Sequence, residues 1–211
     1  GAKYLRFNIP HRKLNPAEEN YLNPILTEIF TKAGLANPPK VFIMDNRDSN
    51  AMVVGDALIL YSGLLFMATR EEVAAVIAHE VGHIVNRDLT MTTLNYAASQ
   101  MSDWMIWLGL GIITIISLNG RIPIIYLAFF IVAVILKLIR WILLSIVRFS
   151  NLILHRKCEY KADAYAAKLG YREATISYLS KIKKAYPETD KPSYFGTHPT
   201  TSKRILALSG L

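Results

Sequence analysis

Residues 71–83 read EEVAAVIAHEVGH and place Glu80 beside His79, with a second histidine, His83, four positions after the first. Residues four apart share one face of an α-helix, so both imidazoles can reach a single metal ion. Glu80 can then reach a water molecule at that metal. The pattern is typical of zinc hydrolases, although five residues alone also match by chance.

The surrounding sequence predicts that this motif lies in the middle of a helix. Thr69 followed three residues later by Glu72 is a capping box, which marks a helix start. Apolar residues then recur at helical spacing. They are Val73, Val76, Ile77, Val81 and Ile84.

Composition favours a small domain combined with a membrane segment. The chain has 211 residues, of which 52% are hydrophobic, and the apolar excess is concentrated in residues 104–147. The net charge of +8 fits a membrane surface better than nucleic acid, because Lys and Arg flank the apolar block and no nucleic-acid module is recognisable. The single cysteine, Cys158, excludes an internal disulfide and suits a reducing compartment. Residues 3–13 lack the apolar region of a signal peptide.

A small sheet is predicted just before the motif helix. Asn15 and Pro16 start a helix over residues 16–33. Short β-branched or apolar runs separated by turn residues then predict three strands. These are residues 40–44, 50–54 and 57–61, followed by a helical turn at 63–68.

Residues 104–147 predict a transmembrane helical hairpin. Two uncharged runs, 104–118 and 122–136, flank a turn at 119–121, and the second continues to 147 past Lys137 and Arg140. Each run is short of about 20 residues, but the first can borrow uncharged neighbours and the two basic side chains can snorkel. Buried helices of a soluble protein and a re-entrant hairpin are the alternatives.

Basic residues predict the orientation of that hairpin and the division of the chain. The turn carries only Arg121, whereas the other end carries five basic residues, so the catalytic part should face the cytoplasm. They are Lys137, Arg140, Arg148, Arg156 and Lys157. We expect a first catalytic part at 1–103, the hairpin at 104–147 and a second catalytic part at 148–211. Helices are predicted at 151–169, 172–185 and 202–208.

The third metal ligand should come from the helix that follows the hairpin. A catalytic zinc takes three protein ligands, and no histidine follows six residues after His83. His155, Glu159 and Asp163 repeat every four residues and share one face. Glu159 as ligand is the economical assignment, with His155 as rival and a solvated polar face as the alternative. Asp163 could accept the remaining N–H of a ligating histidine.

Five ordered motifs resemble the M48 family of membrane zinc metallopeptidases, especially its HtpX-like branch. They are NAMVVG at 50–55, GLL at 63–65, HEVGH at 79–83 with Asp88, EYKAD at 159–163, and THP at 197–199 with RI at 204–205. The resemblance implies a gluzincin of α+β class, mainly helical, with the small sheet before the motif helix and the hairpin inserted. One Zn²⁺ would be held by His79, His83 and Glu159, with Glu80 as general base and Asp163 supporting a ligand.

The resemblance also assigns roles beyond the metal ligands. The edge strand that binds substrate backbone would comprise Asn50, Ala51, Met52, Val53, Val54 and Gly55. His198 would lie near the active site, either donating to the oxyanion or fixing a loop, and Arg204 is expected to pair with a buried acid such as Asp163. HtpX-like proteins generally begin with a hydrophobic hairpin that this sequence lacks, so anchoring should rest on 104–147. Cys158 is interpreted as a packing residue.

These expectations describe a membrane-anchored zinc endopeptidase that acts on misfolded or membrane proteins in protein quality control. It would be a multi-pass protein of the cytoplasmic (inner) membrane, with polypeptide substrates and the lipid bilayer as partners and no nucleic acid. One alternative is a prenyl-protein endopeptidase, for which two apolar segments are too few to enclose an intramembrane chamber. Another is a non-catalytic zinc-binding membrane adaptor, which would not need Glu80 as a base.

Overall fold

The structure is a computed structural model, in which two compact units are formed by Gly1–Leu89 with Leu154–Leu211, and by Thr90–Ile153. Its backbone is described for residues 9–88, 104, 107–109, 111–112, 115, 123–191 and 199–210. Side chains are described for the same residues except 123–130, 133 and 146–152.

Helix α1 covers Pro16–Lys32 and agrees with the helix predicted at 16–33. Asn15 and Glu18 form a reciprocal capping box at its start, and Ala33 caps its end. Gly34 then adopts a positive φ of 63°, which glycine permits without steric cost and which turns the chain away from the helix. The buried face of α1 packs into the core through Leu22, Ile25, Leu26 and Ile29.

The predicted small sheet is present, with strands β1 (Lys40–Met44), β2 (Ala51–Val54) and β3 (Ala57–Tyr61). The strand order is β1-β3-β2, with β1 parallel and β2 antiparallel to β3. All five residues of β3 are buried, as expected for a central strand. Arg12 pairs with the outer side of β1 through two backbone hydrogen bonds to Ile43, of 2.8 and 2.9 Å. Strand β2 forms the other edge.

Two helices follow the sheet, α2 (Ser62–Met67) and α3 (Arg70–Val85). The predicted capping box begins α3: Thr69 Oγ1 accepts from Glu72 N at 3.3 Å, and Glu72 Oε2 accepts from Thr69 N at 2.8 Å. The apolar face of α3 is buried in one core with α1 and the sheet. This packing fixes the motif helix against the edge of β2.

Helix α4 differs from the prediction because it runs without interruption over Pro123–Ala166. The sequence analysis ended the hairpin at 147 and started a separate helix at 151. Residues 147–151 read VRFSN and contain neither Gly nor Pro, so nothing in the backbone chemistry breaks the helix there.

The chain turns at the glycine that was predicted to end this helical region. A π-helical turn covers Ala167–Tyr171, and Gly170 within it has φ 98°. Helix α5 follows over Arg172–Ala185, then a 3₁₀ turn at Pro187–Asp190 and helix α6 at Thr201–Ser209. The fold is thus a mainly helical α+β structure with a three-stranded sheet.

The predicted turn at 119–121 lies outside the described residues. Within the part of the chain that the structure describes, no helix combines the length and apolar character needed to cross a membrane. The division at 104–147 stays a prediction.

Candidate metal centre

Three side chains from α3 and α4 bring their ligand atoms together. His79 Nε2 lies 3.2 Å from His83 Nε2. The carboxylate of Glu159 places Oε2 3.7 Å from the His79 nitrogen and Oε1 3.6 Å from the His83 nitrogen. Among the described residues, His79, His83 and Glu159 form a cluster of side chains that could bind one metal ion. His155, the rival ligand, does not belong to this cluster.

The spacing of these atoms fits one zinc ion. Tetrahedral ligands with metal bonds of 2.0–2.1 Å lie about 3.4 Å from one another. The two histidine nitrogens are 3.2 Å apart, close to that value, and each has a Glu159 oxygen at 3.6 or 3.7 Å, Oε1 for His83 and Oε2 for His79. Two imidazoles and one carboxylate are also a donor set found at catalytic zinc sites.

Each of the two histidines is oriented by a carboxylate on its other ring nitrogen. His79 Nδ1 lies 2.8 Å from Asp163 Oδ1, and His83 Nδ1 lies 2.9 Å from Asp88 Oδ2. When Nδ1–H donates to a carboxylate, the lone pair is on Nε2, which is the atom that faces Glu159. Both rings therefore present lone pairs to the same point.

Asp88 reaches His83 because the chain reverses directly after α3. Asn86 caps the helix, and Arg87 adopts the left-handed conformation with φ 57°, which is uncommon for a residue other than glycine. Sequence reasoning gave Asp88 no role of its own. Its role could have been inferred from chemistry. A histidine that binds a metal needs a hydrogen-bond acceptor for its second ring nitrogen, and Asp88 is the first carboxylate after His83.

Arg204 of α6 joins the two carboxylates of α4. It donates from Nε and Nη2 to Asp163 at 2.7 and 2.6 Å, and its Nη1 lies 3.3 Å from Glu159 Oε2. Burial alone would raise the pKa of Asp163, but hydrogen bonds from Arg204 and His79 hold that pKa well below its usual range. Asp163 is therefore ionised and can accept a hydrogen bond from His79 Nδ1–H.

A close approach between α3 and α4 makes the cluster possible. A Cβ atom built on Gly82 would lie 3.0 Å from Ala162 Cα and 3.2 Å from Tyr165 Cβ. Ala162 itself is fully buried. The two small residues let the helix backbones come close, which brings Glu159 one turn away within reach of the histidines.

Glu80 lines the same cleft as the cluster. Burial, and after it the negative charge of Glu159, raise the pKa of Glu80 to about 8, while Arg204 and a hydrogen bond from the Val53 backbone oppose the rise. A carboxyl with this pKa is well suited to accept and return a proton near neutral pH. A divalent cation in the cluster would favour its ionised form.

The edge strand β2 borders the cleft, which has a volume of about 930 Å³. Tyr61 N–H donates to Asn50 C=O at 3.0 Å, and ladder pairs alternate between bonded and non-bonded, so Ala51 and Val53 direct their backbone groups away from β3. Of the predicted substrate strand, the cleft is lined by Asn50, Ala51, Met52 and Val53; Val54 and Gly55 do not line it.

The remaining candidates lie apart from the cluster or outside the described residues. His198 lies outside them, although its neighbour Pro199 lines the cleft. Cys158 is partly buried, and burial followed by a hydrogen bond to Asp88 raises the pKa of its thiol to about 11. A neutral thiol beside Glu159 agrees with its interpretation as a packing residue.

A crystal structure of S. mikatae Ste24p shows a related fold. The TM-score is 0.62 at 22% sequence identity, and the alignment covers 97% of this chain. It covers 52% of the Ste24p chain, so this protein spans about half of that structure.

Sequence comparisons identify the family. Proteins named Protease HtpX are similar to this chain, including one from Cellvibrio japonicus at 33% identity, covering 91% of this chain and 71% of the relative. Another, from Cronobacter sakazakii, is 32% identical and covers 90% of this chain and 72% of the relative. The sequence model of Peptidase family M48 matches residues 16–211. The predicted resemblance is confirmed, and the chain belongs to peptidase family M48 as a metalloprotease related to Protease HtpX.

Proposed function

We propose that this M48 metalloprotease is a membrane-anchored zinc endopeptidase whose zinc is held by His79, His83 and Glu159. One observation carries the proposal: three ligand atoms lie within 4.8 Å of one another, beside Glu80, in a cleft bordered by a strand edge. Its substrates would be misfolded or membrane proteins, as expected for protein quality control. A structural adaptor would not need an ionisable carboxyl such as Glu80 in this position.

Glu80 is the proton carrier in this proposal. Zinc bound by the three ligands would polarise the scissile carbonyl and lower the pKa of the attacking water. Glu80 accepts a proton from that water and transfers it to the leaving nitrogen. The neighbouring Arg204 stays paired with Asp163 and Glu159, which keeps the carboxylates of the site compensated during the reaction.

Strand β2 would bind the substrate backbone by strand addition. Its two outward N–H groups are engaged within the chain, Ala51 by Asn50 Oδ1 at 2.9 Å and Val53 by Glu80. Carbonyl oxygens of an extended peptide can replace these acceptors at little net cost, because one hydrogen bond is exchanged for another. The exchange at Val53 would release Glu80 towards the reacting water.

We further propose that residues 104–147 anchor the protein in the cytoplasmic membrane with the catalytic part facing the cytoplasm. The support is the pair of uncharged runs and the clustering of Lys and Arg at one end of them. His198 is proposed as an oxyanion donor or a loop-fixing residue, because it precedes Pro199, which lines the cleft.

The central test separates zinc binding from catalysis. Purified Glu80→Gln protein should retain one zinc per chain and lose at least a hundredfold in cleavage of an unfolded polypeptide such as casein, because an amide cannot accept the proton. Glu19→Gln, an exposed change on α1, is the control and should behave as wild type. Normal cleavage by the zinc-loaded Glu80→Gln protein would refute the general-base role.

A further inference from the structure

The cleft extends from the metal cluster along α3 into a pocket with apolar walls. Ala75 and Val76, on the turn of α3 before His79, line it. Thr175, Leu179 and Ile182 of α5, and Tyr186, which directly follows α5, also line it. We call these six residues the α5 pocket.

The α5 pocket lies close enough to the metal cluster to hold a substrate side chain near the reacting bond. Ala75 precedes His79 by four residues, which at about 1.5 Å per residue is about 6 Å along α3. An extended peptide advances about 3.3 Å per residue. A peptide lying along β2 would therefore bring a residue within two positions of the scissile bond to this pocket.

Polar groups on the α5 side of the cleft already have partners within the chain. Thr175 Oγ1 donates to Tyr171 C=O at 2.8 Å. The hydroxyl of Tyr178, which lines the cleft beside the α5 pocket, donates to Ser49 C=O at 2.9 Å. Apart from the hydroxyl of Tyr186, the other side chains of the α5 pocket are aliphatic.

Burial distinguishes the inner part of the cleft from its outer part. Leu179 and Thr175 are each 4% exposed, and Ile182 and Tyr186 are half-buried. The charged residues at this end of the cleft, Glu188 and Lys191, are exposed. A charged or amide side chain entering the inner part of the α5 pocket, beside Leu179 and Thr175, would lose water for little hydrogen bonding in return, whereas an apolar side chain would gain from its transfer.

We propose that the α5 pocket selects a large apolar side chain within two positions of the cleaved bond. This inference rests on the proposed peptidase function and adds its substrate preference. The enzyme then cleaves beside aliphatic or aromatic residues, which are buried in folded soluble proteins and become accessible in unfolded ones. The preference itself restricts cleavage to chains that have lost their fold.

The test is a cleavage-site profile of the full-length, zinc-loaded protein. Wild type is incubated with a peptide mixture of balanced composition, and the cut positions are read by mass spectrometry. We expect apolar residues to be enriched within two positions of the bond, and matched peptides carrying Leu to exceed those carrying Lys at that position by at least tenfold in kcat/KM. An even distribution of residues around the cut sites would overturn the proposal.

A charge placed in the α5 pocket should reverse the preference. Ile182→Asp should lower kcat/KM for the Leu peptide at least tenfold and raise the Lys-to-Leu ratio, because the new carboxylate pairs with the lysine. Ser180→Asp puts the same charge on the exposed part of α5 that does not line the cleft, and its ratio should match wild type. Equal profiles for the two variants would overturn the proposal.

Two further measurements keep the result interpretable. If the Ile182→Asp protein loses helical circular dichroism or zinc, the Ile182→Phe variant is measured instead. The larger side chain should shift the cleavage preference from aromatic to smaller aliphatic residues. A cleavage profile unchanged from wild type would count against the proposal. Cleavage of no peptide by zinc-loaded wild type would overturn the proposed peptidase function and this inference with it. Cleavage without apolar preference would overturn the inference alone.

Discussion

Asp88 and Asp163 act on equivalent nitrogens of the two histidines but in different surroundings. Asp163 is 2% exposed and has a bidentate partner in Arg204. Asp88 directly follows Arg87, which adopts the left-handed conformation, and it contacts His83 Nδ1 at 2.9 Å. The orientation of His83 is therefore set by a short local turn, and that of His79 by contacts with a distant helix.

Removing the charge of Asp88 should weaken metal binding without abolishing it. Asp88→Asn keeps the shape of the side chain but makes it a poorer acceptor for His83 Nδ1–H, and zinc affinity should fall about 10- to 100-fold. Competition with a chelating dye measures this change. Asp45→Asn, a change at an exposed residue outside the cleft, should leave the affinity as in wild type, and an unaltered Asp88→Asn affinity would contradict the role.

Sequence reasoning put His79 and His83 on one helix face and named Glu159 as a candidate beside them, but it missed the contact between His83 and Asp88. His79, Glu80 and His83 follow from the four-residue period of α3. The His83–Asp88 contact requires Arg87 to adopt a positive φ, which residue type does not indicate. The acid paired with Arg204 could be named only as a candidate, because 41 residues separate it from Asp163.

At the scale of elements, the contact between α3 and α4 depends on the absence of a side chain at Gly82. A methyl group there would meet the Ala162 backbone at 3.0 Å, and backbone cannot rotate away as a flexible side chain can. Gly82→Ala should push the helices apart, displace Glu159 and lower zinc affinity by at least tenfold, measured by dye competition.

Gly210, which caps the end of α6, provides the control for that experiment. A Cβ on Gly210 would meet its nearest neighbour at 3.8 Å, an ordinary van der Waals distance, so Gly210→Ala should bind zinc as wild type does. If Gly82→Ala also binds zinc normally, the close approach does not control the position of Glu159.

The start of α3 is joined to α5 by a buried carboxylate whose ionisation should affect stability. Glu72 accepts from Lys181 Nζ at 2.6 Å and from Ser177 Oγ at 2.7 Å. Burial alone would raise the pKa of Glu72, but the hydrogen bonds from Lys181, the Thr69 backbone and Ser177 lower it below the ordinary value. Because the folded pKa is the lower one, the stabilisation is present above the unfolded pKa of about 4.3 and is lost as pH falls through the folded pKa.

Glu72→Gln should therefore destabilise the protein at neutral pH and make it less sensitive to acid. We expect a loss of about 1–3 kcal/mol at pH 7, shrinking as pH falls below about 4, in unfolding followed by circular dichroism in detergent. Glu71→Gln changes the exposed neighbour and should have little effect at either pH. A constant difference between Glu72→Gln and wild type from pH 7 to pH 3 would contradict the assignment.

Element boundaries were predictable where a residue type enforces them. Asn15, Thr69 and Gly170 mark turns or caps in the structure as their chemistry predicts. The boundary placed between 147 and 151 was wrong because it rested on a change from apolar to polar composition. A change from apolar to polar residues alters what surrounds a helix but does not end its backbone hydrogen bonding. Helix α4 therefore continues past residues 147–151.

At the scale of the whole molecule, the membrane proposal makes a prediction about topology. In a Cys158→Ala background, a cysteine at exposed Ser180 should react with a membrane-impermeant maleimide only after cells are lysed. A cysteine at Asn119, in the predicted turn, should react in intact spheroplasts. Labelling of Ser180→Cys in intact spheroplasts would contradict the orientation, and release of the protein by alkaline carbonate would contradict membrane insertion.

The position of Arg204 near the end of the sequence affects when the contacts of the metal cluster can form during synthesis. Arg204 is made roughly 120 residues after His83, which at usual rates of synthesis takes on the order of ten seconds. For most of that interval the two histidines exist in the nascent chain without Glu159, and Arg204, which pairs with both carboxylates, is added last. The third side chain of the metal cluster, and the arginine that pairs with it, are therefore added to the chain long after the histidine motif has been made.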